Sequence, residues 1–138
     1  MFEWGKKDAL KRCTQIYAEV NDDFKNIKGI AYNLECCLKN KYSECVIVSE
    51  GEDIGFVVGN IFFWDEEKYV KIDEICIKTG FQKKGYGSIL LKEFEEKMRL
   101  KGVKTIYFEH YVDEGLDKFY SQNEYIIATD KRMRYKVF

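Results

Sequence analysis

The chain has no proline, one histidine and no long apolar stretch, and each shortage closes off a class of function. With His110 alone and no C-x-x-C pair, the usual His and Cys frameworks for a metal are missing, so no metal is expected. The longest nearly apolar run, Phe56 to Trp64, is nine residues and is interrupted by Asn60, well short of the ~20 a membrane helix needs. The first twenty residues mix charges instead of running basic then apolar, so no export signal is expected. Charge of one sign is lacking too. The 23 Lys and Arg against 24 Asp and Glu leave a net of −1, which gives no global field for gathering a polyanion such as nucleic acid. No repeat, low-complexity tract or Ser/Gly-rich linker divides the chain.

What is present suits one compact domain over residues 1–138. At 138 residues and 46% apolar composition the chain can bury a full core without disulfide or metal staples. Cys13, Cys36, Cys37, Cys45 and Cys76 form an odd set, which reads as reduced thiols in a cytoplasmic protein. Charge is uneven along the chain. Residues 1–69 carry 9 basic and 13 acidic side chains, and residues 70–138 carry 14 and 11, so the halves suit partners of opposite sign.

Apolar periodicity orders the elements. Asp8 is placed to cap a helix over 8–20, in which Leu10, Cys13, Ile16, Tyr17 and Val20 form one stripe. After the polar break Asn21-Asp22-Asp23, a second stripe from Phe24 through Leu34 to Leu38 predicts a helix to about Lys39. β-branched and aromatic runs then predict strands at Cys45–Val48, Ile54–Phe63 and Tyr69–Lys78, joined by turns at Gly51-Glu52-Asp53 and Trp64 to Lys68. A helix is expected over 86–101, stopped by Gly102, followed by a strand at Val103–Phe108 and a short helix near 114–122. Two more strands are expected, at Tyr125–Ala128 and where Met133, Tyr135 and Val137 alternate with Arg132, Arg134 and Lys136. A first strand occupies at most Met1 to Trp4. Strand, helix and strand between 69 and 108 should form a right-handed crossover, which makes these two strands parallel neighbours in a mostly antiparallel sheet.

The most informative stretch is Gln82-Lys83-Lys84-Gly85-Tyr86-Gly87-Ser88, where two glycines join the end of a strand to the start of a helix. Such a junction lets successive N–H groups converge on an anion, with the helix dipole and two lysines adding positive potential. A Rossmann loop is excluded because Leu90 stands where a third glycine belongs, and a Walker loop because no Gly-Lys-Ser/Thr occurs.

Gln82-x-x-Gly85-x-Gly87, set between a strand and a long helix, with Phe119-Tyr120 in a later helix, resembles the signature of the GNAT superfamily of acyl-CoA-dependent N-acetyltransferases. The resemblance covers residues 45–128. It implies an α+β, single-domain GNAT-like fold with a mixed, mostly antiparallel sheet of six to seven strands, helices on both faces and a central β-α-β cofactor unit. It also implies acetyl-CoA as co-substrate. Its pyrophosphate would lie on Gln82, Lys83, Lys84, Gly85, Tyr86, Gly87 and Ser88, its pantetheine along Ile75, Cys76 and Ile77, and Asp113 would stand near it. Three positions depart from the family pattern. Thr79-Gly80 replaces a proline-containing approach, Asp113 replaces a common asparagine, and Glu124-Tyr125 replaces a Gly-aromatic pair.

Acetyl transfer to an amine needs a neutral amine, stabilisation of charge growing on the thioester carbonyl, and a proton for the departing sulfur. The resemblance puts a backbone N–H near Ile77 at the carbonyl and Tyr120 at the sulfur as general acid. A phenol with the ordinary value of about 10 is protonated at neutral pH. For the base, Asp73 and Glu74 are sequence neighbours, so they face opposite sides of the strand unless a bulge intervenes. Glu74 is the favoured one. His110 stays outside the catalytic set, and Cys76 reads as core because no base is spaced to activate it. Asp22-Asp23 with Glu50, Glu52 and Asp53 suggests attraction for a cationic amine. The expected function is an N-acetyltransferase acting on a primary amine of a small molecule or protein by direct attack. The alternative is a catalytically silent acyl-CoA-binding module. Monomer and homodimer both stay open, since the last strand suits either a dimer edge or an ordinary charged edge.

Overall fold

The computed structural model describes residues 1–20 and 27–138, which divide into two compact units, Met1–Phe108 and Glu109–Phe138. The expected break at Asn21-Asp22-Asp23 and the start of the second stripe at Phe24 lie outside the described residues.

The first unit runs β1 (Phe2–Trp4), α1 (Ala9–Ala18), α2 (Ile27–Lys39), β2 (Ser43–Ser49), β3 (Asp53–Trp64), β4 (Glu67–Ile77), a 3-10 turn at Thr79–Phe81, α3 (Tyr86–Leu100) and β5 (Val103–Tyr107). The five strands form one sheet in chain order, antiparallel except for the parallel pairing of β4 with β5 across the α3 crossover. The β3–β4 hairpin turns on Asp65 and Glu66, both left-handed at φ 48° and 70°, a two-residue turn whose twist matches the strands it joins.

Alternation along the strands splits the core into two layers. Cys45, Ile47, Phe56, Val58 and Cys76 face α1 and α2, where they meet Ala9, Cys13, Ile16, Ile30 and Leu34. On the other face α3 buries Leu90, Leu91, Phe94 and Met98. Gly59 makes that packing possible: a Cβ there would come within 2.8 Å of the Phe94 ring. Trp4 stacks on Phe94 at 6.1 Å and donates from Nε1 to Glu93 at 2.9 Å, which ties β1 to α3.

Asp8 differs from the expectation. Its backbone is left-handed at φ 54°, outside the extended region a capping side chain requires, and its carboxylate makes no cap hydrogen bond. Only its carbonyl serves the helix, accepting from Arg12 N–H at 3.0 Å.

The second unit contains α4 (Glu114–Gln122). Asp113 caps it, its Oδ1 accepting from Leu116 N–H at 2.8 Å. At the other end Glu124 adopts φ 67°, and Tyr125 N–H returns to the Tyr120 carbonyl at 3.0 Å, a closure that glycine makes more easily. This accounts for the departure at Glu124-Tyr125: the side chain occupies a left-handed position that the usual glycine fills without strain. The two strands expected at Tyr125–Ala128 and Arg132–Val137 do not form, so among the described residues the sheet has five strands, not the expected six to seven. Alternation alone makes no strand without a neighbour to pair with. Ile126, Ile127, Met133, Tyr135 and Val137 are exposed.

Candidate functional site

β4 is bonded to β3 along its whole length, but its pairing with β5 runs only from Lys68 to Lys71. From Ile72 to Ile77 the edge toward β5 has no strand partner among the described residues. Lys78 N–H donates to the Ile54 carbonyl at 2.8 Å, so by strand alternation the main-chain groups of Ile77 and Ile75 turn away from β3, toward that open edge. Cys76 behaves oppositely. Its backbone faces β3, its thiol lies in the α1/α2 layer, and burial followed by the charge of Glu74 pushes that thiol up to about 12. A thiol so placed is a poor nucleophile, which removes a covalent role.

The register of β3 and β4 slips at one point: Val58 pairs with Glu74 and Gly59 with Ile72, which leaves Asp73 as an extra residue in a β-bulge. The bulge changes the expected geometry of the two carboxylates, because both now project to the α1/α2 face. Asn60, on that face of β3, donates from Nδ2 to Asp73 Oδ2. The Cys37 thiol of α2 is pushed up to about 11, by burial first and then by Asp73 and Glu74. Tyr17 of α1 is raised by burial and by Glu74. The slip has a sequence signal: Val70 and Ile72 are apolar at even positions, Ile75 and Ile77 at odd ones, so one residue must be extra between them.

Glu74 is half-buried, and burial raises its carboxyl to about 7, with the Asp73 charge adding to the rise. The opposing influence is a hydrogen bond from Ile75 N–H, which draws the Glu74 carboxylate to the open edge of β4. A carboxyl that titrates near neutrality at an open strand edge is suited to general base work.

Beyond β4 the chain makes the 3-10 turn, then a loop with Lys83 at φ 59° and Gly85 at φ 90°. Gly85 is the N-cap residue of α3 and has no side chain to cover the helix end, whose first intrahelical bond is Ile89 N–H to the Gly85 carbonyl at 3.1 Å. The N–H groups of Tyr86 and Gly87 therefore have no acceptor within the helix. Gln82 Nε2 donates to the Ile77 carbonyl at 2.8 Å, fastening the loop to the end of the open half of β4. Phe81 packs edge-on against Tyr86 with centroids 6.0 Å apart, and Lys84 Nζ lies 5.7 Å from the Phe81 ring centre. Thr79, at the departure from the family pattern, donates from Oγ1 to the Val20 carbonyl at 3.1 Å, anchoring the approach to the end of α1.

Two acidic residues of the β2–β3 hairpin, Glu52 and Asp53, serve the fold. Asp53 accepts two hydrogen bonds from Arg12 at 2.7 and 2.8 Å, which hold its carboxyl below the usual range. Glu52 pairs with Lys78 at 2.8 Å. The expected contribution of Asp22-Asp23 lies outside the described residues.

In the second unit Tyr120 is buried, its ring 5.1 Å from His110 in a near-parallel stack and edge-on to Phe119 and Tyr125. His110, left aside in the sequence, is thus a wall of the Tyr120 pocket. Asp113 commits its carboxylate to capping α4. Among the described residues no group of three or more His, Cys, Asp and Glu side chains stands together to hold a metal ion, and no helix is long and apolar enough to cross a membrane.

The family described as Acetyltransferase (GNAT) family matches residues 10–123. A curated relative from Bacillus subtilis (strain 168), the uncharacterized N-acetyltransferase CgeE, is 38% identical over 128 residues, covering 86% of this chain and 48% of the relative. The chain thus spans about half the length of the curated relative it matches. Among solved structures, a probable acetyltransferase superposes with a TM-score of 0.81 at 12% identity, covering 100% of this chain and 98% of the other. The aminoglycoside acetyltransferase meta-AAC0020 from an uncultured soil metagenomic sample, in complex with sisomicin, gives 0.77 at 14%, covering 100% and 95%. The ribosomal-protein-alanine N-acetyltransferase of Brucella melitensis biovar Abortus 2308 gives 0.76 at 16%, covering 100% and 99%. At such identities the likeness is one of fold.

Proposed function

The chain belongs to the GNAT acetyltransferase family, and from that premise we propose that it is an N-acetyltransferase moving an acetyl group from acetyl-CoA to a primary amine. The observation that carries the reading is the open half of β4, with its bulge and a carboxyl titrating near 7 at its edge. Residues 1–138 are read as one such domain, since the family match crosses the boundary between the two units. Two structural neighbours are named for amine-bearing acceptors, an aminoglycoside and a protein alanine, which supports an amine here.

The residues present fit the co-substrate. The open edge offers main-chain groups of Ile75 and Ile77, and the loop from Gln82 to Ser88 offers an uncapped helix start, left-handed turns at Lys83 and Gly85, and two lysine charges. A diphosphate needs several donors and the helix start has several to give. Cys76 contributes by holding that edge in place.

Acetyl-CoA supplies the thioester; its acyl C–S bond breaks as the C–N bond of the amide forms. Glu74 takes the proton that the acceptor ammonium must lose, a task matched to its value near 7. The main-chain N–H of Ile77 faces the growing carbonyl charge, and the Tyr120 phenol gives its proton to the departing sulfur. Water is kept from Tyr120 by the rings of His110, Phe119 and Tyr125.

The test is thiol release from acetyl-CoA in the presence of a panel of primary amines, alongside calorimetry with acetyl-CoA, free CoA and ATP. The expected result is binding of acetyl-CoA and CoA but not ATP, and thiol release that depends on one class of amine. Binding with no release for any amine would make the chain a silent acyl-CoA-binding module. No binding at millimolar concentration would end both readings.

A further inference from the structure

Asn60 is the polar interruption in the apolar run of β3, and its environment gives it a task. Its Nδ2 donates to Asp73, while its Oδ1 is buried with no hydrogen-bond partner among the described residues. A buried acceptor left unpaired opposes folding, and a leucine of nearly the same size would avoid that cost. The residue therefore earns its place through its donor side. That donor ends on the extra residue of the β4 bulge, next to Glu74.

We propose that Asn60 is a positioning residue for the base: it pins Asp73 to the face of the bulge that Glu74 occupies, so that the two carboxyl groups stay side by side. The inference rests on the reading of Glu74 as base. The groups facing Glu74 can be named element by element. α1 presents Tyr17, α2 presents Cys37, β3 presents Asn60, and β4 presents Asp73 and Cys76. The phenol and both thiols are all raised, so they are neutral at neutral pH. Asp73 is then the one whose charge acts on Glu74. Released from Asn60, Asp73 keeps only the Cys37 thiol as a partner on that face and turns toward water, which reduces the negative charge at Glu74 and lets its proton leave at lower pH.

The experiment is a 13C NMR titration of the Glu74 carboxyl in the parent, Asn60→Leu, Asp73→Asn and the double variant, with a pH–rate profile for each. The Glu74 midpoint should fall by about one pH unit in Asp73→Asn and part of that distance in Asn60→Leu. The double variant should match Asp73→Asn alone, because Asn60 acts only through Asp73. An unchanged midpoint in Asn60→Leu, or a further fall in the double variant, overturns the proposal. Asn60→Ala gives the same reading should the leucine variant fail to fold. If the midpoints move as expected but the acid limb of the rate profile stays still, the positioning stands and Glu74 is not the base.

Discussion

The two halves of β4 are one strand with two roles. From Lys68 to Lys71 it is bonded on both edges, and its inward residue Val70 is fully buried against the α3 layer. From Ile72 to Ile77 one edge is open, the register slips at Asp73, and two carboxylates turn the same way. Apolar alternation runs through both halves, shifted by one residue at the bulge. What separates them is where β5 stops and where one residue is added. An open edge leaves strong main-chain donors and acceptors in need of partners, and a bulge re-aims side chains that a regular strand would split between its faces. The sheet does its structural work where its hydrogen bonds close and offers chemistry where they do not.

Substitutions in the two halves should have different consequences. The largest effect is expected from Gly85→Glu in the loop that ends the open half. A carboxylate at the diphosphate position, on a backbone at φ 90°, should weaken acetyl-CoA binding by at least ~100-fold in calorimetry. Glu74→Gln should lower turnover at neutral pH by roughly 100-fold while leaving acetyl-CoA affinity in place. The same variant has a stability signature. The folded Glu74 titrates near 7 against an ordinary 4.5, so between those values the folded state binds more protons and parent stability falls as pH rises. Glu74→Gln escapes that loss and should exceed the parent at pH 8 by up to roughly 3 kcal/mol, with no difference near pH 4 in paired thermal melts. Tyr120→Phe, outside both halves, should cost about tenfold in turnover with affinity spared. The smallest effect on chemistry is expected from the closed half. Val70→Ala should lower stability by roughly 2 kcal/mol in urea unfolding and leave acetyl-CoA affinity within about twofold.

Much of the closed half and the helices was legible in the sequence. The 114–122 helix, the start of α3 at Tyr86 and the parallel pairing of β4 with β5 follow from period, glycine placement and crossover handedness. The open half was legible in part. Gln82, Gly85 and Gly87 mark the loop, whereas Asp73 and Glu74 were expected on opposite faces unless a bulge intervened, and the phase shift from Val70 and Ile72 to Ile75 and Ile77 that signals the bulge went unread. The role of Asn60 was not legible, because its bond to Asp73 joins residues that meet only when β3 and β4 pair. Asp8 misled because residue type suggested a cap while the chain entered the helix through a left-handed backbone. The last two expected strands misled for the opposite reason: Met133, Tyr135 and Val137 alternate as a strand would, yet the pattern lacks a partner to pair with.

Amide hydrogen exchange with and without acetyl-CoA reports whether the open half of β4 and the α3 start form one acetyl-CoA surface. New protection is expected at Ile77 and at Tyr86 and Gly87, with Lys68 to Lys71 unchanged. Saturating acetyl-CoA that leaves those three amides as they were, or that protects only the closed half, would contradict the shared surface.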